Sequence, residues 1–275
     1  MNLTSKSTIR HLLKKYNLRP SKYLGQYFLI DQKRLQQIIE AANLSQADLV
    51  IEIGPGLGVL TQELAKRVKK VVAIEKDLQM VKVLEEIFKD FKNIEIIKQD
   101  ILKASDFLPR IPYKVVANLP YYLTSPVIRM FLELKHRPSQ MVLLVQKEVA
   151  QRICAKPGQM SLLSVAVQFY GKPAIVNFIS KKSFWPRPGV DSAILKIKTV
   201  KKLPLSVKPE FFFRVVKAGF SAKRKQLINS LSAGLHLSKD KTKEILKKAR
   251  IDSKRRAESL SLKEWQKIVN NLTNN

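Results

Sequence analysis

The sequence predicts an α/β fold, in which a Rossmann-like domain with a mostly parallel sheet and helices on both faces precedes a small all-helical domain. In the first half, apolar segments of strand length alternate with segments of helical periodicity, the pattern of a parallel sheet covered on both faces. Beyond a Pro-containing linker, residues 199–204, only helical periodicity remains. The expected domains are a basic arm over residues 1–26, the α/β domain over residues 27–200 and the helical domain over residues 201–275.

The strands are predicted from short runs rich in Val and Ile that are bounded by polar or Gly residues. The runs that carry the parallel part of the sheet are residues 48–53, 70–75, 93–98, 113–117 and 140–145. Helices are expected after the first two of them, over residues 59–68 and 78–88. Two later runs, residues 174–179 and 192–197, are expected to close the sheet as an antiparallel pair.

The part of the chain after the linker shows only helical patterns. Helices are predicted there over residues 211–220, 224–233, 241–249 and 262–272. Ser261 and Glu264 have the spacing of a capping box, which marks the start of the last helix. The C-terminal part is therefore expected to form a small all-helical domain.

The charge of the chain is strongly positive, at +29, with 51 basic and 22 acidic residues. From Lys196 to the end there are 21 basic and 6 acidic residues. Such an excess predicts a polyanionic partner, and nucleic acid is favoured. A membrane is the less favoured partner, because the chain shows no apolar run long enough to span one and no basic amphipathic helix with exposed bulky apolar residues.

The cysteine and histidine content limits the chemistry. Cys154 is the single cysteine, which excludes disulfides within the chain and a Cys-based zinc site. The histidines, His11, His136 and His236, are scattered without the spacing of metal ligands. The sequence therefore predicts a cytoplasmic protein in a reducing compartment, with no metal in its chemistry.

The first 26 residues carry six basic residues and no acidic one. They lack the apolar stretch of a secretory signal. A basic arm in front of a nucleic-acid enzyme is the preferred interpretation. A mitochondrial transit peptide is the alternative, since Ile9, Leu12, Leu13 and Tyr16 could share one face of a helix.

A Gly-rich loop follows the first predicted strand and opens a helix, a place where α/β folds bind cofactors. It contains Gly54, Gly56 and Gly58. A dinucleotide fingerprint would have its third Gly one position later, where this chain has Val59. The spacing therefore favours a nucleoside-type cofactor over a pyrophosphate, and the segment that begins at Glu52 is a candidate cofactor site.

Two carboxylates end the next two predicted strands. Glu75 is placed to accept hydrogen bonds from two ribose hydroxyls, and Asp100 could bond an adenine amine. Because the carboxyl ends of parallel strands lie at one edge of the sheet, both are expected near the Gly-rich loop.

The strand predicted over residues 113–117 ends in a turn of unusual composition, Asn118-Leu119-Pro120-Tyr121. The side-chain oxygen of Asn118 and a nearby backbone carbonyl can accept the two hydrogens of an exocyclic amine. Pro120 stiffens the turn through its fixed φ, and Tyr121 offers a ring on which a base can stack. The turn alone fits an ordinary strand end equally well, but the four strand ends together match S-adenosylmethionine (SAM) methyltransferases that act on an amino nitrogen.

The chain resembles the small-subunit ribosomal RNA adenine N6,N6-dimethyltransferases of the KsgA and Dim1 family over nearly all of its length. The motifs that carry the resemblance are EIGPGLG at Glu52, NLPYYLTSPV at Asn118, LVQKEVAQRI at Leu144, SFWPRPGVDSAI at Ser183 and FSAKRKQLINSL at Phe220. The first occurs in many methyltransferases, whereas the Ser183 and Phe220 motifs together with NLPY are specific.

The resemblance implies SAM-dependent dimethylation of two adjacent adenosines in the 3′-terminal hairpin of small-subunit rRNA, within a partly assembled subunit. It implies a monomer and a site in which Asn118 to Tyr121 hold the adenine while Phe184 packs against its other face. The implied cofactor-binding residues are Tyr27, Leu29, Glu52, Gly54, Gly56, Gly58, Glu75, Asp100 and Asn118. The implied phosphate-binding residues are Lys223, Arg224 and Lys225.

Two positions depart from the family pattern. The family usually has Asn where this chain has Tyr27, and that Asn contacts SAM, so the affinity for SAM could differ. Lys223 stands where the family usually has Arg. The alternatives left open are a catalytically weak or inactive rRNA-binding assembly factor, a large-subunit rRNA adenine methyltransferase and, less favoured, a DNA adenine methyltransferase.

Overall fold

The structure is a computed structural model that describes residues 1–21, 25–104, 107–200, 203 and 208–273. Its strands are β1 (Phe28–Leu29), β2 (Leu49–Ile53), β3 (Lys70–Glu75), β4 (Ile94–Lys98), β5 (Lys114–Asn118), β6 (Gln140–Gln146), β7 (Gly171–Ile179), β8 (Phe184–Trp185) and β9 (Ser192–Thr199). Its α-helices are α1 (Lys6–Lys15), α2 (Gln32–Ala42), α3 (Val59–Ala65), α4 (Leu78–Ile87), α5 (Thr124–Glu133), α6 (Lys147–Ile153), α7 (Leu162–Tyr170), α8 (Pro209–Gly219), α9 (Leu227–Leu235), α10 (Lys239–Lys248) and α11 (Leu262–Thr273).

The predicted α/β fold is confirmed. Seven strands form a sheet in the order β4-β3-β2-β5-β6-β9-β7. The strands from β4 to β6 are parallel to their neighbours, and β9 is antiparallel to β6, with Gln146 opposite Ser192. Because β2, β3 and β5 run in the same direction, their carboxyl ends meet at one edge of the sheet, as the sequence analysis expected.

Several helices that precede the predicted linker were not predicted, namely α2, α5, α6 and α7. Helix α5 follows directly on the turn at residues 119–123 and carries Pro126 in its first turn, where a missing N–H costs no hydrogen bond. Its apolar face, formed by Val127, Ile128, Phe131 and Leu132, is buried. That spacing is typical of a helix, but the Pro and Tyr residues just before it favour a turn.

The N-terminal segment predicted as a basic arm contains a packed helix. In α1, Ile9, Leu12 and Leu13 are at most 4% exposed and belong to the hydrophobic core. These are the residues that suggested an amphipathic transit peptide. Their shared face packs against the rest of the α/β part, and the basic residues of the helix are exposed.

The chain divides into two compact units: Met1–Ala150 with Pro173–Thr199, and Gln151–Lys172 with Val200–Asn275. The predicted limits assigned residues 151–172 to the first domain, whereas the contacts group them with the C-terminal helices. Within the second unit the ring of Phe169, on α7, stacks on Phe212 with centroids 4.5 Å apart. Burial of this aromatic pair is the physical reason for the grouping.

The second unit is otherwise helical, as predicted. Its capping box is present, since Ser261 N donates to Glu264 Oε2 at 2.7 Å and Glu264 N donates to Ser261 Oγ at 3.3 Å. Half of the predicted linker, residues 201, 202 and 204, lies outside the described residues. Among the helices that the structure describes, none is long and apolar enough to cross a membrane.

Candidate functional site

A cavity of about 400 Å³ lies at the carboxyl edge of the sheet, within the size range of small-molecule sites. It brings together nine of the residues predicted from the sequence. These are Tyr27, Leu29, Glu52, Gly54, Gly56, Glu75, Asp100, Asn118 and Pro120. The other predicted residues of this region, Gly58, Leu119, Tyr121 and Phe184, do not line the cavity.

The Gly-rich loop takes backbone conformations that side chains rarely adopt. Gly56 has a φ of +58°, and a Cβ there would lie 3.3 Å from Phe28 Cε1. Gly58 has a φ of +80° and begins α3, and a Cβ there would lie 2.3 Å from the ring of Phe88. Gly56 therefore shapes the cavity wall, whereas Gly58 is needed for packing behind it.

Glu75 ties the end of β3 to the Gly-rich loop. Its Oε2 accepts a hydrogen bond from Gly56 N at 3.2 Å, and its Oε1 accepts from Lys76 N at 2.8 Å and Asp77 N at 2.9 Å. Burial raises the pKa of this carboxyl, and the backbone hydrogen bonds oppose the rise. A carboxylate offers about four acceptor positions, so the three bonds leave one for a ligand hydroxyl.

Asp100 follows the end of β4 by two residues and lines the cavity. Its Oδ2 receives the Lys76 ammonium at 2.8 Å, and its Oδ1 accepts a hydrogen bond from Leu102 N at 3.1 Å. The bond from Lys76 lowers the pKa of Asp100, so this carboxylate is ionised at neutral pH. Asp100 can therefore accept a hydrogen bond from an amine in the cavity.

Glu52, on β2, is a buried carboxyl at the base of the cavity. It is 1% exposed, and its Oε2 has no hydrogen-bond partner among the described residues. Burial raises the pKa of Glu52 to about 8, and the nearby Glu75 charge acts in the same direction. Glu52 is therefore protonated at neutral pH and presents a neutral wall to the cavity.

The Glu52 carboxyl makes the stability of the fold depend on pH. From its ordinary pKa of 4.5 up to about 8, the unfolded chain has lost this proton while the folded chain keeps it. The free energy of unfolding therefore falls as pH rises through this window. Glu52→Gln removes this titrating group and with it the dependence on pH. The free energy of unfolding of the variant, relative to that of wild type, should therefore rise by up to about 1.4 kcal/mol per pH unit. Urea unfolding at pH 5, 6.5 and 8 measures this difference between variant and wild type, and a difference that stays constant with pH contradicts the prediction.

The turn after β5 carries the predicted amine-binding groups. Asn118 Nδ2 donates to the backbone oxygen of Tyr27 at 3.0 Å. Since the amide nitrogen must face that carbonyl, the amide oxygen lies on the other side of the side chain. Pro120 O accepts a hydrogen bond from Leu123 N and keeps a second lone pair, and Leu119 N donates to Leu144 O at 3.2 Å. These bonds fix the turn at the strand end.

Tyr121 and Phe184, the aromatic residues predicted to enclose the base, have different surroundings. The ring of Tyr121 stacks on Tyr27, and its hydroxyl lies 2.9 Å from Ser192 Oγ. Among the described residues, Phe184 makes no ring contact with Tyr121. It is 3% exposed, belongs to the core and pairs with Leu29 across β1 and β8. The pairing of two short strands, which the sequence analysis did not foresee, places the Phe184 ring in the core.

Three cations predicted to bind phosphate lie in the second unit. Lys223, Arg224 and Lys225 are all exposed in the turn between α8 and α9. The expected helix start at residue 224 is wrong, because Gln226 is extended, with ψ 153°, and α9 begins at Leu227. The cations therefore project from a turn and not from a helix face.

The cavity is also lined by residues that no sequence pattern had indicated. Gln26 Nε2 donates to Asp77 Oδ2 at 3.1 Å, and both residues line the cavity. Gly25, with a φ of +65°, packs so closely that a Cβ there would lie 3.1 Å from Pro120 Cβ. Asp77 follows Glu75 by two positions, and Gln26 directly precedes Tyr27. The signal in the sequence that could have indicated them was therefore their position next to residues already predicted for the site.

Comparison with known proteins identifies relatives over almost the whole length. Residues 3–274 match the family described as ribosomal RNA adenine dimethylase. The chain is 47% identical to ribosomal RNA small subunit methyltransferase A of Dehalococcoides mccartyi, over 94% of this chain and 90% of that protein. It is 42% identical to the protein of the same name from Clostridioides difficile, over 99% and 97%.

Solved structures show the same fold. A dimethyladenosine transferase from Plasmodium falciparum superimposes with a TM-score of 0.79 at 25% identity, over 90% of this chain and 97% of that one. The 23S rRNA methyltransferase ErmE superimposes with a TM-score of 0.75 at 27% identity, over 90% and 99%. Because the family match spans residues 3–274 and these relatives are up to 47% identical over nearly the whole chain, this chain belongs to the ribosomal RNA adenine dimethylase family.

Proposed function

We propose that this protein dimethylates N6 of two adjacent adenosines in the 3′-terminal hairpin of small-subunit rRNA. The observation that supports this most directly is the turn from Asn118 to Tyr121 beside the cavity at the strand ends. The relatives from Dehalococcoides mccartyi and Clostridioides difficile, whose names specify the small subunit, support the choice of rRNA.

SAM is the methyl donor of this family, and its sulfonium supplies an activated methyl group. The residues present fit it. Glu75 keeps one acceptor position for a ribose hydroxyl, and Asp100 is ionised and able to accept from an adenine amine. Gly56 keeps the loop open at the cavity wall, where a Cβ would press against Phe28. Protonated Glu52 leaves the base of the cavity uncharged.

The protein's main task is to position an adenine amine beside the donor. We propose that the Asn118 side-chain oxygen and the Pro120-side carbonyl accept the two N6 hydrogens. These acceptors favour rehybridisation of N6 and stabilise the positive charge that develops on it. The alkylated nitrogen then loses its proton readily, so the chemistry requires no strong general base.

The adenine must leave its stack to reach this turn, and hairpin adenines lose less stacking energy on doing so than paired ones. Tyr121 then offers a ring face to the unstacked base. The proposed substrate is the partly assembled small subunit, and the proposed active form is a cytoplasmic monomer, in which each chain carries its own complete site.

The turn at residues 223–225 is the proposed phosphate contact of the second unit. Replacing Lys223, Arg224 and Lys225 together by Gln should weaken rRNA binding and flatten its salt dependence. Each lost phosphate contact changes the slope of log K against log salt by roughly 0.7 to 0.9, so the slope should decrease by about 2 to 3. Filter binding from 50 to 300 mM salt measures it.

The matched control for this turn replaces Lys82, Lys89 and Lys92, which are also exposed. This control removes the same net charge from the first unit. Equal loss of affinity in both triple variants would mean that only net charge matters. In that case the turn at residues 223–225 would have no specific role.

Radiolabelled SAM and purified ribosomal subunits test the proposed function. Wild-type protein should label under-methylated small subunits, and mass spectrometry should place two methyl groups on each of two adjacent adenosines. Label on large-subunit rRNA would favour the alternative that the likeness to ErmE suggests. Tight binding to small subunits without any transfer would instead identify a binding-only assembly factor.

A further inference from the structure

Strand β7 lies at one end of the described sheet and carries exposed apolar side chains. Its residues alternate in burial, and Ala174, Val176 and Phe178 are the exposed set. Val176 is 46% exposed and Phe178 is 44% exposed. Because alternate residues of a strand share one face, these three side chains lie along the same side of β7. We call this surface the β7 face.

The opposite side of β7 is in contact with the protein. Asn177 Nδ2 donates to Gln37 Oε1 on α2 at 3.1 Å. Single exposed apolar residues are common on protein surfaces, but a row of them on an end strand promotes association with other molecules. The β7 face is therefore a candidate interaction surface.

A cation accompanies the aromatic ring of the β7 face. Lys147 begins α6, directly after β6, and its Nζ lies over the Phe178 ring, 5.2 Å from the centroid. An exposed ring next to an ammonium group is typical of surfaces that bind single-stranded nucleic acid. A base stacks on such a ring, and the ammonium pairs with the adjoining phosphate.

The β7 face ends close to the proposed amine-binding turn. Asp191 connects the strand ends, since its backbone oxygen accepts from Lys147 N at 3.0 Å and its Oδ1 accepts from Lys181 N at 2.9 Å. The next residue, Ser192, begins β9, and its Oγ lies 2.9 Å from the Tyr121 hydroxyl. Because β7 and β9 are neighbours in the sheet, they lie about 5 Å apart. The β7 face thus continues the edge of the sheet at which Tyr121 lies.

The charges at this edge favour RNA as the partner. Lys147, Lys181 and Lys182 supply three cations, whereas Glu148 and Asp191 supply two carboxylates. One carboxylate oxygen of Asp191 already accepts a backbone hydrogen bond. The chain as a whole carries a charge of +29. A ribosomal RNA provides bases and phosphates together, which matches a ring and an ammonium group side by side.

We propose that the β7 face binds a nucleotide that flanks the target adenosine, with its base stacked on Phe178 and its phosphate paired with Lys147. This rests on the proposed function, which assigns the target adenine to the turn at Tyr121. When the target leaves its stack, the neighbouring base loses a stacking partner, and the exposed Phe178 ring replaces it. Val176 extends the apolar surface beside that base.

Substitution of the ring tests the stacking contact, with a protein-free RNA hairpin whose loop carries the two target adenosines. Phe178→Leu should bind this hairpin about 5- to 150-fold more weakly than wild type, the range for loss of one base stack. Phe178→Tyr keeps a ring and should stay within about 3-fold of wild type. Phe107→Leu is the matched control, because Phe107 is also exposed, at 54%, but lies before β5. Its affinity should stay within about 3-fold of wild type.

Two further measurements locate the contact. Lys147→Gln should reduce the slope of log K against log salt by roughly 0.7 to 0.9, the change for one phosphate. A hairpin with 4-thiouridine beside the target adenosines should form a photo-crosslink to the peptide that contains Phe178. SAM affinity, measured by calorimetry without RNA, should be unchanged in every variant, since neither Phe178 nor Lys147 lines the cavity.

Three results would overturn the proposal. The first is equal affinity of wild type and Phe178→Leu for the hairpin, and the second is equal loss in Phe178→Leu and Phe107→Leu. The third is a loss that occurs with small subunits but not with the protein-free hairpin, which would identify a ribosomal protein as the partner. If Phe178→Leu lacks a cooperative unfolding transition, the salt slope of Lys147→Gln and the crosslink of wild type decide.

The outcomes for the β7 face and for the proposed function can be told apart. If wild type methylates small subunits while Phe178→Leu binds the hairpin as wild type does, only the role of the β7 face is wrong. If wild type transfers no methyl group but its binding to the hairpin depends on Phe178, the RNA contact stands and the proposed activity is wrong.

Discussion

Asn118→Ala should reduce methyl transfer roughly 100- to 1,000-fold, the range for removal of one preorganised hydrogen-bonding group that stabilises developing charge. The amide has two tasks in this structure. Its nitrogen donates to Tyr27 O at 3.0 Å, which directs its oxygen to the other side, where the adenine amine is proposed to bind. Alanine removes the acceptor and leaves the Tyr27 carbonyl without this donor.

Single-turnover transfer from radiolabelled SAM to under-methylated small subunits measures the effect. Because Asn118 also lines the cavity, SAM affinity should be determined in parallel, and it should fall much less than the transfer rate. Asn177→Ala is the matched control, since Asn177 donates to Gln37 outside the cavity. A variant that keeps more than about a tenth of the wild-type rate would exclude Asn118 as the main acceptor for the amine.

Glu75→Gln should weaken SAM binding about 10- to 150-fold, the range for loss of one hydrogen bond to a charged group. The carboxylate accepts three backbone N–H groups with its two oxygens. A glutamine has one acceptor oxygen, so its NH₂ group must face either Gly56 N–H or the pair at Lys76 and Asp77. In either orientation the glutamine NH₂ group faces a backbone N–H group, and the repulsion between the two donors pushes the Gly-rich loop away from β3.

Calorimetry with SAM and with the demethylated product measures this loss. Both ligands carry the same ribose, so both affinities should fall by a similar factor. Glu95→Gln is the control, because Glu95 lies on β4 and pairs with the exposed Lys70 outside the cavity. An unchanged affinity for both ligands would mean that Glu75 neither contacts the ribose nor positions the Gly-rich loop for binding.

The residues at the strand ends of the site could be predicted from two features, the runs of β-branched residues that mark the strands and the parallel arrangement of those strands. Runs of β-branched residues ending in Gly54, Glu75 and Asn118 belong to β2, β3 and β5. Parallel strands place their carboxyl ends at one edge, so residues far apart along the chain could be assigned to one cavity. The structure confirms that they line it together.

The aromatic part of the site could not be predicted in the same way. Tyr27 directly precedes β1 and Phe184 lies in β8, and these two paired strands are only two residues long. Runs that short carry no periodicity from which their register could be read. The resemblance to a family supplied the Phe184 assignment, and the structure places that ring in the core and Tyr27 on Tyr121.

By itself, the sequence determined the fold class, the order of the sheet's parallel strands along the chain, the polar groups at their ends and the basic character that points to nucleic acid. These follow from local periodicity and composition, which act over a few residues. Only the tertiary structure decided that the ring of Tyr27 stacks on Tyr121, that its carbonyl orients Asn118 and that Glu52 is buried with no partner for Oε2 in the described part of the chain. Such contacts join positions up to 94 residues apart, between 27 and 121, and depend on packing that no local pattern encodes.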